Sequence, residues 1–186
     1  MKRDTVTQLS TTTIALHWLV AVSIIGLLLV GAYMVETKAY GLYPWHKSFG
    51  VIVFFIVLVR VGWRITNGWP EPIRQYPDLE RITAKVVHWI LILATVLMPV
   101  SGFLMSSLGG HGVDLFGVEL VARNPDPENP KKVLAHNGDL AGLAHSIHHW
   151  VGYILFTAVI LHIAGALKHH LMDKDDTLSR MLGRGI

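Results

Sequence analysis

Four long apolar segments dominate the chain, and shorter polar stretches separate them. The segments run over residues 14–35, 46–65, 82–106 and 145–167. Each holds about 20 mostly apolar residues, which is the helix length needed to cross the hydrocarbon core of a bilayer. The pattern predicts an all-α fold, an integral membrane bundle of four helices. Because little chain is left for a soluble part, we expect residues 1–186 to form one membrane domain.

The composition agrees with a membrane location and excludes several kinds of site. Of the 186 residues, 52% are hydrophobic, and the mean hydropathy is +0.45, which is too apolar for an ordinary soluble domain. A net charge of +3, spread over a membrane protein, gives no reason to expect nucleic-acid binding. The chain has no cysteine. Disulfides, iron–sulfur clusters and haem attached through thiols are therefore excluded.

The distribution of lysine and arginine predicts the orientation in the membrane. Four spans place both ends of the chain on one side, together with the connection between the second and third segments. Because cytoplasmic loops are enriched in these residues, we expect the side richer in cations, and hence both termini, to be cytoplasmic. That side holds eleven cations: Lys2, Arg3, Arg60, Arg64, Arg74, Arg81, Lys85, Lys168, Lys174, Arg180 and Arg184. The other side holds five: Lys38, Lys47, Arg123, Lys131 and Lys132.

The same topology assigns the two longer connections. Residues 107–144 form the outer loop, in which "RNPDPENPKK" is rich in Pro, Asn and charge and is expected to be irregular. The stretch "NGWPEPIRQYP" forms the inner connection between the second and third helices.

Histidines enter the predicted helices at two depths. Ionisable residues inside a membrane are costly and usually mark a functional site. The outer level holds His46, His145, His148 and His149. The inner level holds His17, His88 and His162.

Helical geometry selects two of the histidines in the fourth segment. His148 and His162 are fourteen residues apart, about 40° short of four full turns, so they share a face roughly 21 Å apart along the axis. His145 and His149 lie roughly 100° and 140° from His162 around the helix. The fourth helix therefore presents two imidazoles on one face at two depths, which suits two metal sites placed one above the other.

Other helices supply a second imidazole at each depth. His46 can pair with His148 at the outer level, and His17 can pair with His162 at the inner level. Two imidazoles from facing helices suit the axial positions of a six-coordinate haem iron, which then has no open position for oxygen. Such a pair of sites indicates electron transfer across the membrane. His88 competes for the inner level, and geometry alone does not exclude it.

Arg60 and several glycines fit the same scheme. Arg60 follows His46 by fourteen residues and returns to nearly the same face at the inner level, where it could neutralise a haem propionate. Small residues let a flat macrocycle or a neighbouring helix approach the backbone. The glycines placed for this are Gly50, Gly102, Gly152 and Gly165.

With these residues laid out, the chain resembles the bacterial cytochrome b561 family of small four-helix membrane cytochromes. The matching motifs are "ALHW" at 15–18, "WHKSFG" at 45–50, "VRVGWR" at 59–64 and "ALKHHLMDKDDTLSRM" at 166–181, together with the spacing of His148 and His162. The resemblance covers almost the whole chain, and the outer loop is its least certain part.

The resemblance implies a cofactor, a location and a reaction. Carried over residue by residue, the family's haem ligands fall on His17, His46, His148 and His162. The family implies two b-type haems, the bacterial inner membrane and electron exchange with ubiquinone. Some members oxidise superoxide at the outer face, so the donor implied for this chain is superoxide or an outer redox protein.

Two other functions remain open. A haem-bearing subunit of this size could instead anchor a larger dehydrogenase complex in the membrane. The motif His145-x-x-His148-His149 also matches one histidine box of the membrane di-iron oxygenases and desaturases. Such enzymes need several boxes that converge on one side, whereas His169 and His170 are expected on the opposite side.

Overall fold

The structure, a computed structural model, describes residues 4–184. The four long helices of the described chain are α1 (Thr11–Thr37), α2 (Tyr43–Asn67), α3 (Asp78–Leu108) and α4 (Gly138–Leu171). A short α5 (Thr177–Met181) follows them, and a 3-10 turn over Tyr40–Leu42 leads into α2. Between α3 and α4 the chain forms two strands, β1 (Val113–Leu115) and β2 (Val118–Val121).

The predicted membrane fold is confirmed: the chain is mostly helical, and four of its helices are long and apolar enough to cross a bilayer. Each helix extends beyond its apolar run, and side-chain caps mark the starts of α1 and α4. α4 begins at Gly138, where the Asn137 side chain accepts a hydrogen bond from the Leu140 amide at 3.1 Å. α3 begins directly after Pro77 and carries Asp78 and Glu80 in its first turn, where negative charge favours the helix dipole.

The helices pack in sequence order around a small apolar core. α3 and α4 make the most extensive contact, and α2 packs against both α1 and α3. The core lies at the middle of the helices, between the two levels at which the histidines occur. Its buried residues are Val20, Ile24, Val53, Val57, Ala94 and Leu155.

Both described ends of the chain meet at one end of the bundle, which we call the tail end. There the buried guanidinium of Arg180 donates to the backbone carbonyls of Val6 and Glu71, at 2.7 and 3.1 Å. Arg64 forms an ion pair with Asp4 at 3.1 Å. These contacts join the N-terminal segment, the connection between α2 and α3, and α5. Lys2 and Arg3, which the orientation argument also counts here, lie outside the described residues.

A second polar cluster at the tail end joins α3 to the end of α4. The ammonium group of Lys168 lies 2.7 Å from a Glu80 carboxylate oxygen and 2.8 Å from one of Asp173. Tyr76 donates to Asp175 at 2.6 Å. Burial acts to raise the pKa of Asp175, but the hydrogen bonds from Tyr76 and Thr177 outweigh it and lower the pKa below its ordinary value. The carboxylate therefore stays ionised at neutral pH.

The opposite end of the bundle, which we call the loop end, carries the strand pair. β1 and β2 form an antiparallel hairpin whose turn is Phe116–Gly117. The outer loop thus contains regular structure in the hairpin, and residues 123–132, the stretch predicted to be irregular, lie outside helices and strands. The alternation in "VDLFGVELV" is a signal typical of a hairpin, and the sequence reasoning missed it.

Candidate functional site

Four histidines come together in two pairs at two depths of the bundle. His46 on α2 and His148 on α4 lie toward the loop end, at the loop level. His17 on α1 and His162 on α4 lie toward the tail end, at the tail level. All four side chains are partly buried. Because α4 contributes one histidine to each level, it is the element that relates the two.

The loop level contains a cavity between α1, α2, α3 and α4 that is partly open to the surface. His46 and His148 both line it, and the other lining residues are apolar or glycine. These are Ile24, Leu27, Leu28, Gly50, Val53, Met98, Pro99 and Leu155. A largely apolar space with two imidazoles on its walls suits a flat, hydrophobic group that takes nitrogen ligands.

One glycine makes room for the His148 ring at this level. A Cβ at Gly102 of α3 would lie 3.0 Å from Cε1 and 3.2 Å from Nδ1 of His148, so the ring would have to move by a few tenths of an ångström. A Cβ at Gly31 of α1 would lie 3.5 Å from Cε1 of His46, in ordinary contact, so that position does not require glycine. The sequence reasoning selected Gly102.

Hydrogen bonds orient the His148 ring. Its Nδ1 lies 2.9 Å from the Met98 carbonyl and 3.2 Å from Oγ of the buried Ser101. Because a carbonyl only accepts, the His148 proton is on Nδ1, and Nε2 keeps its lone pair. Metal-bound histidines usually donate their second ring N–H in this way. Met98 and Ser101 are therefore supporting residues that the sequence reasoning did not identify.

The second histidine at the loop level has an unused ring nitrogen. Within residues 4–184, the buried Nδ1 of His46 has no hydrogen-bond partner. A buried polar atom without a partner calls for an explanation. A bound group that involves this ring is the explanation consistent with the cavity beside it.

At the tail level the rings of His17 and His162 approach each other. Their centres are 6.0 Å apart, and their planes are inclined by 53°. The guanidinium Nη2 of Arg60 lies 3.0 Å from Nδ1 of His17. Arginine has only donors, so Nδ1 of His17 accepts this hydrogen bond. The sequence placed Arg60 at this level, but its partner in the structure is an imidazole, and its pairing with a propionate stays a prediction.

His88 on α3 also reaches the tail level. Its ring centre lies 5.1 Å from that of His162, in an edge-to-face arrangement. Its Nδ1 lies 2.7 Å from the Ala84 carbonyl, so the ring is oriented by its own helix. His88 is exposed, whereas His17 and His162 are partly buried. Proximity therefore does not separate His17 from His88 as the partner of His162.

The local histidine box does not form one site. His145 and His149 are both exposed, and their rings stack with centres 6.5 Å apart. His148 points instead toward Met98 and Gly102 of α3. The three histidines of the box therefore serve different surfaces, which argues against a di-iron centre built from them.

Comparison with known proteins decides the class of protein. A family model described as prokaryotic cytochrome b561 matches residues 8–184. This chain belongs to that family. It is accordingly a membrane electron-transfer protein, and the family implies b-type haem.

Three relatives from two bacteria illustrate the similarity. Cytochrome b561 homolog 2 of Escherichia coli (strain K12) is 34% identical over 91% of this chain and 88% of its own length. Cytochrome b561 homolog 1 of the same organism is 25% identical over 95% of this chain and 98% of its own length. The probable superoxide oxidase CybB of Yersinia pestis is 24% identical over 91% of this chain and 92% of its own length.

The residues present fit a b-type haem at both levels. At the loop level, the cavity, the small residue at Gly102 and the unused nitrogen of His46 provide space and ligand atoms. At the tail level, His17 and His162 bring two imidazoles to a centre-to-centre distance of 6.0 Å, and these rings would hold the group there.

We expect Gly102→Ala to reduce the haem content of the purified cytochrome. The added methyl would displace the His148 ring, because the position it needs is already in close contact with that ring. Haem per chain is measured from the pyridine haemochrome spectrum. Gly62→Ala on α2 is the matched control, since a Cβ there meets nothing within 4 Å. Equal haem content in both variants would show that the His148 ring has no fixed place against α3.

Proposed function

We propose that this cytochrome transfers electrons between a donor at the loop end and ubiquinone in the membrane, with two b-type haems held between histidine pairs. The observation that carries the proposal is the placement of two imidazole pairs at two depths, with α4 contributing to both. When bound, haem supplies reversible one-electron chemistry. Two histidines held to each haem iron would leave no open coordination position, which favours electron transfer over chemistry at iron.

In this proposal each histidine pair comes from two different helices. His46 and His148 are the ligands at the loop level, and His17 and His162 are the ligands at the tail level. Each pair thus joins α4 to the helices α1 and α2 on the other side of the bundle. Haem binding would then stabilise the packing of the four helices as well as supply the redox group.

The two levels differ in the groups beside their histidines. His148 donates from Nδ1 to the Met98 carbonyl, which makes an imidazole a more basic ligand. The Arg60 guanidinium lies 3.0 Å from Nδ1 of His17 and places a positive charge beside the tail level. Both differences favour an added electron at the tail level over the loop level. We therefore infer that electrons move from the loop end toward the tail end.

The loop end carries a cation beside the proposed outer site. Lys47 and His46 both line a second cavity, which Val113 of β1 also lines. The Lys47 ammonium donates to the Gly112 carbonyl at 2.8 Å, which holds it in place. A fixed positive charge attracts anionic donors, which supports superoxide as the donor. The similarity to a probable superoxide oxidase points the same way.

The charge distribution supports a proposal for the location in the cell. The tail end holds Arg64, Arg74, Arg81, Lys85 and Lys168 among its described cations. By the preference of cytoplasmic loops for such residues, we place the tail end in the cytoplasm and the protein in the bacterial inner membrane. The loop end then faces the periplasm, where an outer donor would meet it.

We expect two haems per chain in the wild type and one in His148→Ala. Removal of His148 deletes a ligand at the loop level only, so the haem at the tail level should remain. Pyridine haemochrome analysis against protein concentration gives the count. His88→Ala is the matched comparison and should keep both haems. A single haem in the wild type, or loss of one in His88→Ala, would contradict the proposed ligand set.

Arg60→Met should lower the midpoint potential of one haem and leave the other nearly unchanged. The variant removes a positive charge beside His17, and that charge stabilises the reduced state in the wild type. Potentiometric titration followed at the haem absorption bands resolves the two components. Arg60→Lys retains the charge and should shift the potential less. Equal shifts of both haems, or none, would contradict the link between Arg60 and the tail level.

The purified cytochrome should reduce a soluble ubiquinone analogue when superoxide is generated in solution. Two superoxide anions each give up one electron and become two molecules of dioxygen. One ubiquinone takes up the two electrons together with two protons to form ubiquinol. Quinone absorbance follows the reaction, and superoxide dismutase should suppress it. Lys47→Gln should slow it at unchanged haem content. Absence of quinone reduction, together with co-purification of a soluble dehydrogenase, would favour the membrane-anchor function instead.

A further inference from the structure

The β-hairpin is attached to the side of α2 that faces away from the bundle. His46, Val53 and Val57 of α2 point toward the cavity and the core. Ser48 lies about 200° around the helix from His46. Its hydroxyl donates to the Asp114 carbonyl at 2.9 Å and accepts from the Phe116 amide at 3.0 Å. The hairpin therefore covers α2 on its outer flank.

That flank of α2 continues as an apolar surface with the properties of a lipid-facing helix side. Four large apolar residues lie within about 60° of Ser48 around the helix, and they are between 38% and 61% exposed. They are Trp45, Ile52, Phe55 and Val59. In a helix that spans a membrane, an exposed apolar stripe of this kind meets lipid. The hairpin thus occupies space at the loop end that lipid would otherwise fill.

The hairpin presents its own apolar side chains from this position. Phe116 is 48% exposed at the turn, and Val118 and Leu120 of β2 are 64% and 46% exposed. Residues two apart in a strand share a face, so Val118 and Leu120 point the same way. Glu119 points to the other face, where it is paired with Asp114. The charged and apolar faces of the hairpin are therefore separated.

Phe116 holds an unfavourable backbone conformation in order to occupy the turn. Its φ is +49°, followed by +90° at Gly117. Two-residue hairpin turns with positive φ at both positions strongly prefer Asn-Gly, and a bulky residue there is an outlier. The Phe116 ring packs 5.2 Å from that of Phe49 and 5.8 Å from that of Trp45. Strain of this kind persists where the side chain has a role.

We propose that the hairpin is a membrane-interface anchor, with Phe116, Val118 and Leu120 in contact with the phospholipid bilayer at the loop end. Open strand edges are not tolerated in hydrocarbon, so the hairpin lies at the level of the headgroups. Three backbone groups on the β1 side are bound by α2, since Gly112, Asp114 and Phe116 bond to Lys47 and Ser48. Aromatic side chains favour this depth.

The anchor would set the depth of the loop level in the membrane. Lys47 and Ser48, which bind the hairpin, directly follow His46 in the sequence. A bilayer contact at the hairpin therefore positions the start of α2, and with it the cavity that His46 lines. This role does not depend on which group the histidines bind.

Site-directed spin labelling tests the anchor. Because the chain has no cysteine, the label attaches only to the cysteine that is introduced. The variants Val118→Cys, Leu120→Cys and Glu119→Cys are labelled in the full-length cytochrome and reconstituted in phosphatidylcholine–phosphatidylglycerol vesicles. Collision with oxygen, which concentrates in lipid, is compared with collision with a water-soluble nickel chelate. We expect labels at 118 and 120 to favour oxygen and the label at 119 to favour nickel.

Two other outcomes would overturn the proposal. Nickel access at 118 and 120 equal to that at 119 would mean that the hairpin stands in water. Shielding of 118 and 120 from both reagents would mean that a protein, such as a second copy of this chain, covers the face instead.

Phe116→Asn supplies an independent test, because it introduces the preferred Asn-Gly turn while it removes the ring. We expect the labels at 118 and 120 to lose their preference for oxygen, with haem content unchanged and thermal stability in detergent equal or higher. An unchanged oxygen preference in this variant would show that Phe116 does not hold the hairpin in the membrane.

Discussion

The packing of the four helices depends on giving hydrogen-bond partners to polar imidazole rings inside an apolar bundle. A buried polar group without a partner is costly, and the cost is greater where water is excluded. The His148 ring meets this need through the Met98 carbonyl, and the His17 ring through Arg60. His46 keeps a buried nitrogen without a partner in the described chain, beside an apolar cavity. The hydrogen bonds of His148 and His17 hold these two rings in place. The nitrogen of His46 that has no partner, together with the cavity, leaves room for a cofactor.

The two levels are chemically unequal although α4 builds both. One ring donates to a neutral carbonyl, and the other accepts from a cation, so the same residue type has a different electronic environment at each depth. In the proposed function, this asymmetry favours an added electron at the tail level. It arises from which groups the neighbouring helices bring to each ring: the Met98 backbone on α3 and the Arg60 side chain on α2.

The two ends of the bundle are also built differently. Buried and partly buried charges at the tail end join three segments of the chain, with Arg180 and Lys168 at the centre of two networks. At the loop end, a hairpin with an apolar face lies along the outer flank of α2. Polar networks suit contact with water, and apolar side chains with aromatic rings suit the membrane interface. The ends thus hold the two histidine levels in place by different means.

The sequence alone determined the four helices long enough to span a membrane. It also determined the order of the histidines along these helices and the two-level spacing of histidines on α4. These properties are local or periodic: a run of about 20 apolar residues specifies a span, and fourteen residues specify a common face. It also identified Gly102 and the depth of Arg60. Only the tertiary structure decided that Arg60 meets His17, that Met98 and Ser101 orient His148, and that the hairpin docks on Ser48. Those partners lie on different elements, and the helix packing that brings them together has no local signature in the chain.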